Sequence, residues 1–279
     1  DSGQVFRWRR EEDGRWYGAL RGTALALAVR QDVLEIETAG APIALAEIRA
    51  FLGLDDPLPR IREYFQREAV LSRAFADAYG MRIVQQDAWE GLVAFICSSH
   101  NAVFRIQQMM GALSRLYGEQ LSLRGQTIYT FPPAERLAAL TLENLAPCRL
   151  GYRDAYVLAA ARMVAAGELN PAALVDAPDE EARAALLRVP GVGPKVADCI
   201  MLMALRKKER TFPIDVWVRR AVVKYYREAI EAATGVAVTD TGPSERQYRA
   251  IISWAERYFA PYTGYAQTYL FFAMRAGWI

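Results

Sequence analysis

Hydrophobic and polar positions alternate along the first part of the chain. Residues 3–37 contain the alternating stretches QVFRWRR, RWYGAL, ALALAVR and VLEIET, and the turn-forming stretches EEDG and RQD separate some of them. A period of two is typical of β-strands, whose successive side chains point to opposite faces of a sheet. The pattern therefore predicts an antiparallel sheet with one solvent-exposed face.

From about Pro42 the apolar positions recur at helical spacing, and short breakers divide the pattern into segments. Nearly everything after residue 87 has this helical period, with one break at residues 98–101 and another in PGVG. We therefore predict an α+β fold. Residues 1–82 form a small N-terminal antiparallel β-sheet domain that includes helices, and this domain packs on a large α-helical domain of residues 83–279.

Composition narrows the class of protein. The 279 residues are 53% hydrophobic and 24% charged, which is enough apolar content for a sizeable core and excludes a disordered chain. No apolar run reaches the ~18 residues of a membrane span, so we expect no membrane partner. The first residues, DSGQVFRWRR, contain no signal-peptide core, so we expect a protein that is not secreted. They resemble the middle of a strand, and we expect native residues upstream.

The few sulfur and imidazole groups restrict the chemistry. The chain has three well-separated cysteines (Cys97, Cys148 and Cys199) and one histidine, His100. This set offers no disulfide framework and too few ligands for a Cys/His metal site, and it indicates a reducing compartment. Catalysis would have to use Lys, Asp, Glu, Tyr or backbone groups.

Positive charge is concentrated in one region. The whole chain carries a net charge of +2, but ten Lys or Arg side chains and only four Asp or Glu side chains lie between residues 185 and 228. Such a patch indicates a contact with a polyanion. Two solvated helices would give the same charge count, and charge alone favours that simpler interpretation.

The stretch LLRVPGVGPKVADC lies inside this basic region. Gly191 and Gly193 allow a tight turn, and Pro194 suits the first position of a helix, where its missing N–H costs nothing. Exposed N–H groups in such a turn and at the following helix N-terminus form an anion site. The pattern resembles the helix-hairpin-helix that grips a DNA phosphate, although a tight turn between packed helices is the alternative.

Two side chains near this turn have more than one interpretation. Lys195 in the first helical turn is either a phosphate contact or a nucleophile whose neutral form the helix dipole favours. Asp215, in FPIDVWV, is either a helix N-cap or a carboxylate that faces Lys195 and stabilises positive charge on a sugar.

The segments LRVPGVGPKVADC and FPIDVWV are similar to those of helix-hairpin-helix DNA glycosylases. SGQVFRWR, FICSSHNAVFRI, LGYRDAYV and GYAQTYLF resemble, in order and spacing, the matching stretches of the 8-oxoguanine DNA glycosylase/AP lyase family over nearly the whole chain. The resemblance implies a bifunctional enzyme that excises 8-oxoguanine from duplex DNA, with cytosine expected opposite the lesion. It forms a lysine Schiff base and cleaves the strand by β-elimination. The resemblance also implies a monomer without a catalytic cofactor, located in the nucleoid region of a prokaryotic cytoplasm or in a eukaryotic nucleus.

The resemblance assigns roles to individual residues of this chain. Lys195 and Asp215 are implied as the catalytic pair. The residues implied to bind the flipped base are Gly3, Cys199, Met203, Gln267 and Phe271. Those implied to contact DNA are His100, Asn101, Arg105, Tyr152, Arg153, Gly191, Gly193 and Trp217. A structural metal ion on the carbonyls of Leu187, Val189 and Val192 would be consistent with the family, although no side chain indicates it.

Two departures and two alternatives accompany this resemblance. The family usually has asparagine at the position of His100 and a phosphate-contacting histidine at the position of Trp217, which puts the pairing with cytosine and the phosphate contact in doubt. A non-catalytic helix-hairpin-helix DNA-binding module would need neither Lys195 nor Asp215. A monofunctional or alkyl-base glycosylase of the same fold would use Lys195 only as a phosphate contact. The endonuclease III branch is disfavoured because no cysteine follows Cys199.

Overall fold

The fold begins with an antiparallel sheet, as the alternating pattern predicts. A computed structural model describes residues 3–240, 242 and 244–279, so the first two residues of the predicted N-terminal domain lie outside the described part. The strands follow the chain in the order β1-β2-β3-β4. They are β1 (Arg9–Arg10), β2 (Trp16–Leu20), β3 (Thr23–Arg30) and β4 (Val33–Gly40).

Both faces of the central strands are covered, so the expectation of a solvent-exposed face is wrong. On one face Leu25 and Leu27 pack with Ile48 and Phe51 of a short helix. On the other face Tyr17 and its neighbours pack with residues of a second sheet. The small alanine side chains of β3 explain why this second layer approaches closely enough to bury them.

The second layer is a hairpin that the helical interpretation of residues after 87 missed. Strands β5 (Gln120–Leu123) and β6 (Gln126–Tyr129) pair antiparallel around a two-residue loop. Both loop residues, Arg124 and Gly125, have positive φ, which is the geometry of the tight hairpin turns that match strand twist. The hairpin lies between helices in sequence but covers one face of the N-terminal sheet in space.

The remainder of the described chain is helical, and the predicted α+β class is confirmed. Asp87, Glu68 and Ser244 cap three of the helices through their side chains. The helices of the N-terminal region are α1 (Leu45–Phe51), α2 (Leu58–Phe65) and α3 (Ala69–Asp77). The later helices are α4 (Ala88–Ser98), α5 (Val103–Tyr117), α6 (Ala134–Ala138), α7 (Leu142–Leu145), α8 (Arg153–Ala165), α9 (Asp179–Leu187), α10 (Pro194–Met203), α11 (Val216–Tyr225), α12 (Arg227–Thr234), α13 (Glu245–Tyr258) and α14 (Thr263–Ala276).

Helix α10 lies between two hydrophobic cores. Its residues Val196 and Ile200 belong to a core that α4, α5, α8 and α9 complete. Leu202 belongs to the other core, which α2 and α3 share with α11, α13 and α14. The division of the chain at residues 82 and 83 remains a prediction, and helices from both sides of it share this second core. No helix among the described residues is both long and apolar enough to cross a bilayer.

Candidate active site

A cavity of about 450 Å³ opens where α10, α14 and the loop before α11 meet. Its lining brings together nine of the residues that the sequence singled out. These are Gly3, Asn101, Lys195, Cys199, Met203, Asp215, Trp217, Gln267 and Phe271. The other predicted contact residues do not line the cavity and lie on the surface around it or in the supporting structure.

Two helices present side chains to this cavity at the same spacing. Lys195, Cys199 and Met203 are four residues apart on α10, and each lines the cavity. Gln267, Phe271 and Arg275 repeat the spacing on α14. Because residues four apart lie on one face of a helix, each helix contributes one continuous edge of the cavity wall.

The glycine turn leads directly into the first of these helices. Gly191 has φ of +84°, and a Cβ atom there would lie 2.6 Å from the ring of Tyr156. Gly193 is the N-cap of α10, and a Cβ atom there would meet no other atom within 4 Å. The first glycine is therefore required by the fold, whereas the second leaves open space beside the helix N-terminus for an approaching phosphate.

Lys195 follows this turn and carries a raised pKa. The Cys199 side chain, together with the Asp215 carboxylate, raises the pKa of the amine, while burial acts in the opposite direction. Burial raises the pKa of the Cys199 thiol to about 11, so this thiol is uncharged at neutral pH. The carboxylate then remains as the charge that holds the proton on Lys195. The surroundings of Lys195 in the DNA-free protein therefore favour the protonated amine, in the opposite direction to the helix dipole.

Asp215 caps a helix and also lines the cavity together with Lys195. Its Oδ1 accepts hydrogen bonds from the backbone N–H groups of Trp217 at 3.0 Å and Val218 at 2.8 Å, which caps α11. Both bonds use one oxygen, so Oδ2 is left for a ligand in the cavity that Asp215 lines. Burial raises the pKa of this carboxyl, and the two backbone N–H groups and Lys195 oppose the change.

Gly3 is held at the cavity by its neighbour Gln4. The Gln4 side chain donates to the Arg82 carbonyl at 2.9 Å and accepts from the Val84 N–H at 2.8 Å, while the Gln4 carbonyl accepts from Gln86 at 2.7 Å. Gly3 itself has φ of +79°, and a Cβ atom there would lie 2.5 Å from Nη1 of Arg275. A backbone without a side chain therefore passes between Arg275 and the cavity.

Gln267 has a fixed amide orientation. Its Nε2 donates to the Pro213 carbonyl at 3.0 Å, and its Oε1 accepts from the Thr268 hydroxyl at 3.3 Å. The side chain is buried and lines the cavity. Its remaining donor and acceptor positions are available to a polar ligand at this edge of the cavity. Phe271, one turn later, supplies an aromatic wall.

His100 marks the surface rim between two cavity-lining residues, Ser98 and Asn101. It is exposed and has φ of +48°, a left-handed conformation that asparagine adopts more readily than histidine. Asn101 is used structurally, since its Nδ2 donates to the Cys97 carbonyl at 3.0 Å and its Oδ1 accepts from the Ala102 N–H at 3.1 Å. In this structure Asn101 stabilises the loop that presents His100.

Arg153 is buried and supports the same loop. Its guanidinium donates to the carbonyls of Ser99, Leu150 and His100. These hydrogen bonds hold the guanidinium against the backbone of the protein itself. Tyr152 is 55% exposed beside it, and the Arg153 guanidinium carbon lies 4.3 Å from the centre of the Tyr152 ring. The pair therefore forms a rigid protrusion next to His100.

Arg105 and Trp217 occupy different environments. Arg105 is exposed on α5 and donates to Gln108 at 3.1 Å. Trp217 lines the cavity, and the Arg220 guanidinium carbon lies 5.0 Å from the centre of its ring. The structure thus leaves Arg105 free to reach an external ligand and places an aromatic ring where a phosphate contact was expected.

The hairpin carbonyls are suitable for a hard cation. The carbonyls of Leu187, Val189 and Val192 belong to the turn, and the Val189 oxygen accepts one hydrogen bond, from the Val192 N–H at 3.0 Å. Oxygen donors of this kind suit a hard metal ion. Among the described residues, no group of three or more His, Cys, Asp or Glu side chains is placed to share a metal.

Sequence reasoning missed Gln4 and Arg275. Gln4 could not be identified because its role depends on partners about 80 residues away. Arg275 did have a signal, since it continues the four-residue spacing of Gln267 and Phe271 on α14.

A family model and a curated relative match this chain. A family model of the N-terminal domain of 8-oxoguanine DNA glycosylase matches residues 1–92. A probable N-glycosylase/DNA lyase from Methanothermobacter thermautotrophicus is 29% identical over 235 residues, which is 76% of this chain and 70% of that protein.

Two solved structures resemble the whole chain. MBOgg1 in complex with a low-affinity DNA ligand is 32% identical, and the 8-oxoguanine glycosylase/lyase of Clostridium acetobutylicum with DNA containing cytosine opposite 8-oxoguanine is 28% identical. Each match has a TM-score of 0.87 and covers 100% of this chain and 91% of the other. Together with the confirmed α+β fold, these likenesses show that the chain belongs to the 8-oxoguanine DNA glycosylase/AP lyase family of the helix-hairpin-helix superfamily.

Proposed function

We propose that this protein removes 8-oxoguanine from duplex DNA and then cleaves the strand. The observation that carries the proposal is that an amine, Lys195, and a carboxylate, Asp215, line one cavity with groups suited to a flipped purine. A DNA-binding module would need the glycine turn but not this pair. The relatives named as glycosylase/lyase support the same activity.

The base is extruded from the duplex into the cavity. Phe271 and the Cys199–Met203 edge of α10 offer apolar surfaces to the two faces of the ring, and Gln267 offers its amide to the pairing edge. The backbone at Gly3 accepts the hydrogen that 8-oxoguanine carries on N7. Guanine has a lone pair there, and an unmade buried hydrogen bond costs about 1–3 kcal/mol.

The chemistry requires a neutral amine, so Lys195, whose pKa Cys199 and Asp215 raise, first gives its ammonium proton to solvent. Once the amine is neutral, its Nζ bonds to C1′ while the bond from C1′ to the purine breaks and the electron pair leaves with the base. The proton released from the attacking nitrogen neutralises the departing base. Asp215 stabilises the positive charge that develops on the sugar.

The second reaction follows from the imine that forms when the sugar ring opens. As the bond from C1′ to O4′ breaks, the freed purine gives its proton to O4′, which leaves an iminium group at C1′. The iminium acidifies the C2′ proton, and the purine, now an anion, accepts this proton. The bond from C3′ to its oxygen then breaks, and the phosphate leaves with the electron pair. Lys195 and Asp215 supply the nucleophile and the carboxylate, so we infer that no cofactor is required.

Around the cavity, Tyr152 and His100 fill the gap in the duplex, and Arg105 hydrogen-bonds the unpaired cytosine. Gly191 and Gly193 bring the hairpin backbone to a phosphate, and a cation on the hairpin carbonyls would strengthen that contact. The protein acts as a monomer where the DNA is located, in the nucleoid of a prokaryote or the nucleus of a eukaryote.

The test is a single-turnover excision assay with 8-oxoguanine opposite each of the four bases. Parallel duplexes contain guanine or an alkylated purine. We expect fast excision opposite cytosine, strand cleavage without added alkali, and a rate that rises with pH as Lys195 loses its proton. Excision of the alkylated base alone, or binding without excision, would contradict the proposal.

A further inference from the structure

A second surface cleft lies on α5, away from the base cavity. Its volume is about 410 Å³, and three arginines line it: Arg105, Arg115 and Arg149. The other lining side chains carry no charge, and burial raises the pKa of the Cys148 thiol at its base to about 11. The cleft therefore concentrates positive charge in a protein whose net charge is only +2.

These arginines are not neutralised by the protein itself. All three are exposed, and the ion pairs formed within the described part of the chain include none of them. Arg15 and Arg124, by contrast, both contact Glu37. An unpaired arginine cluster in a concave surface fits an anion from outside, and the planar guanidinium suits phosphate in particular.

The backbone of Arg149 strengthens this interpretation. Its φ is +54°, in the left-handed region that glycine adopts without strain, yet an arginine occupies the position. The next residues lead through Leu150 and Gly151 to Tyr152, the exposed ring beside His100. The cleft residue Arg149 is therefore three positions along the chain from Tyr152 of the proposed DNA-binding rim.

The dimensions suit more than one phosphate. Arg105 and Arg115 are ten residues apart on one helix, which is about 15 Å along its axis at 1.5 Å per residue. A DNA strand carries one phosphate per ~3.4 Å of duplex axis, so this length spans roughly four base-pair steps. A small free anion would need only one of the three side chains.

We propose that this cleft binds backbone phosphates of the duplex flanking the lesion through Arg115 and Arg149, while Arg105 at its edge contacts the unpaired cytosine. This inference rests on the proposed function, because the partner is the DNA substrate. The contact is independent of sequence and of damage, since phosphates are common to every duplex. It extends the footprint of the protein along α5 beyond the base cavity.

The experiment measures the dissociation constant of DNA as a function of salt for Arg115→Gln, Arg149→Gln and Arg149→Gly. The probes are an undamaged duplex and the same duplex with a stable abasic analogue. Each lost phosphate contact should reduce the slope of log K against log salt by about 0.9. Between 50 and 200 mM salt, the affinity advantage of the wild type should then shrink about 3.5-fold per contact.

Arg249→Gln is the matched control. Arg249 is an exposed arginine on α13, paired with Glu245, and its loss changes the net charge equally. We expect the control to keep the wild-type slope. Arg149→Gly should also keep or raise the melting temperature, because glycine relieves the left-handed backbone, and this result separates lost contact from lost folding.

Three results would overturn the inference. The first is an unchanged salt dependence of DNA binding in the Arg115 and Arg149 variants. The second is an equal decrease in the Arg249→Gln control, which would mean that net charge alone sets the slope. The third is a decrease confined to a variant that has unfolded. Failure of the proposed function would look different from failure of this inference. In that case the wild type would bind both duplexes with the expected salt dependence but would not excise 8-oxoguanine.

Discussion

Replacement of Asp215 by asparagine and by alanine separates its two structural roles. Asparagine can still accept the hydrogen bonds that Trp217 N–H and Val218 N–H donate to Oδ1, but it carries no charge. Alanine removes both the cap and the charge. If the residue matters only as an N-cap, asparagine should behave like the wild type in every assay.

The structure gives the size of each effect. Asparagine and aspartate are about equal as N-caps, whereas alanine costs about 1 kcal/mol of unfolding free energy. Because burial raises the pKa of Asp215, folding disfavours its charged form, and Asp215→Asn should be at least as stable as the wild type at neutral pH. This difference should shrink as the pH falls through the raised pKa and vanish below the pKa of the unfolded chain.

Excision should respond differently from stability. Loss of a preorganised charge that acts on the transition state costs about 10²–10³ in rate, so both variants should lose at least this factor. The assay combines urea denaturation at several pH values with single-turnover excision of 8-oxoguanine. A stable Asp215→Asn variant with wild-type excision would refute the role of the carboxylate in catalysis.

Three further predictions concern the surroundings of the site. Gly191→Ala should lower the free energy of unfolding by about 1–2 kcal/mol because of the left-handed backbone, and the clash with Tyr156 should add to this loss. Gly193→Ala should keep the wild-type melting temperature and weaken DNA binding. Equal stability of the two variants would contradict the different roles assigned to the two glycines. His100→Gly should raise the free energy of unfolding by about 1 kcal/mol, measured in urea, and a lower value would show that the imidazole stabilises the loop. Asp198→Ala leaves the Arg183 guanidinium without its buried partner and should lower the free energy of unfolding by about 3–5 kcal/mol. A loss below about 1 kcal/mol, measured by thermal denaturation, would mean that solvent takes the place of the Asp198 carboxylate.

Much of the fold follows from local pattern. The alternating stretches RWYGAL, ALALAVR and VLEIET and the helical period thereafter predicted β2, β3, β4 and the helices, because side-chain periodicity reflects which face is buried. Of QVFRWRR, only Arg9–Arg10 form a strand. The hairpin of β5 and β6 was missed because it is short and flanked by helices, although LRGQ contains its turn. The second covered face of the sheet depends on that hairpin and could not be predicted without it.

The site divides in a similar way. The four-residue spacing of Lys195, Cys199 and Met203 places them on one edge of α10. In the structure all three line the cavity. The burial of Arg153 depends on the carbonyls of a loop 54 residues away, and no local pattern contains that information. The raised pKa of Lys195 likewise comes from Asp215 and Cys199, whose proximity only the fold creates.

The central claim is that Lys195 attacks the sugar. The most direct measurement is borohydride trapping of the protein on a duplex with 8-oxoguanine opposite cytosine, for the wild type, Lys195→Gln and the control Lys224→Gln. We predict a covalent protein–DNA adduct for the wild type and for Lys224→Gln, and none for Lys195→Gln. Excision by the wild type without any trapped adduct would contradict the account, since water would then be the nucleophile and Lys195 a phosphate contact.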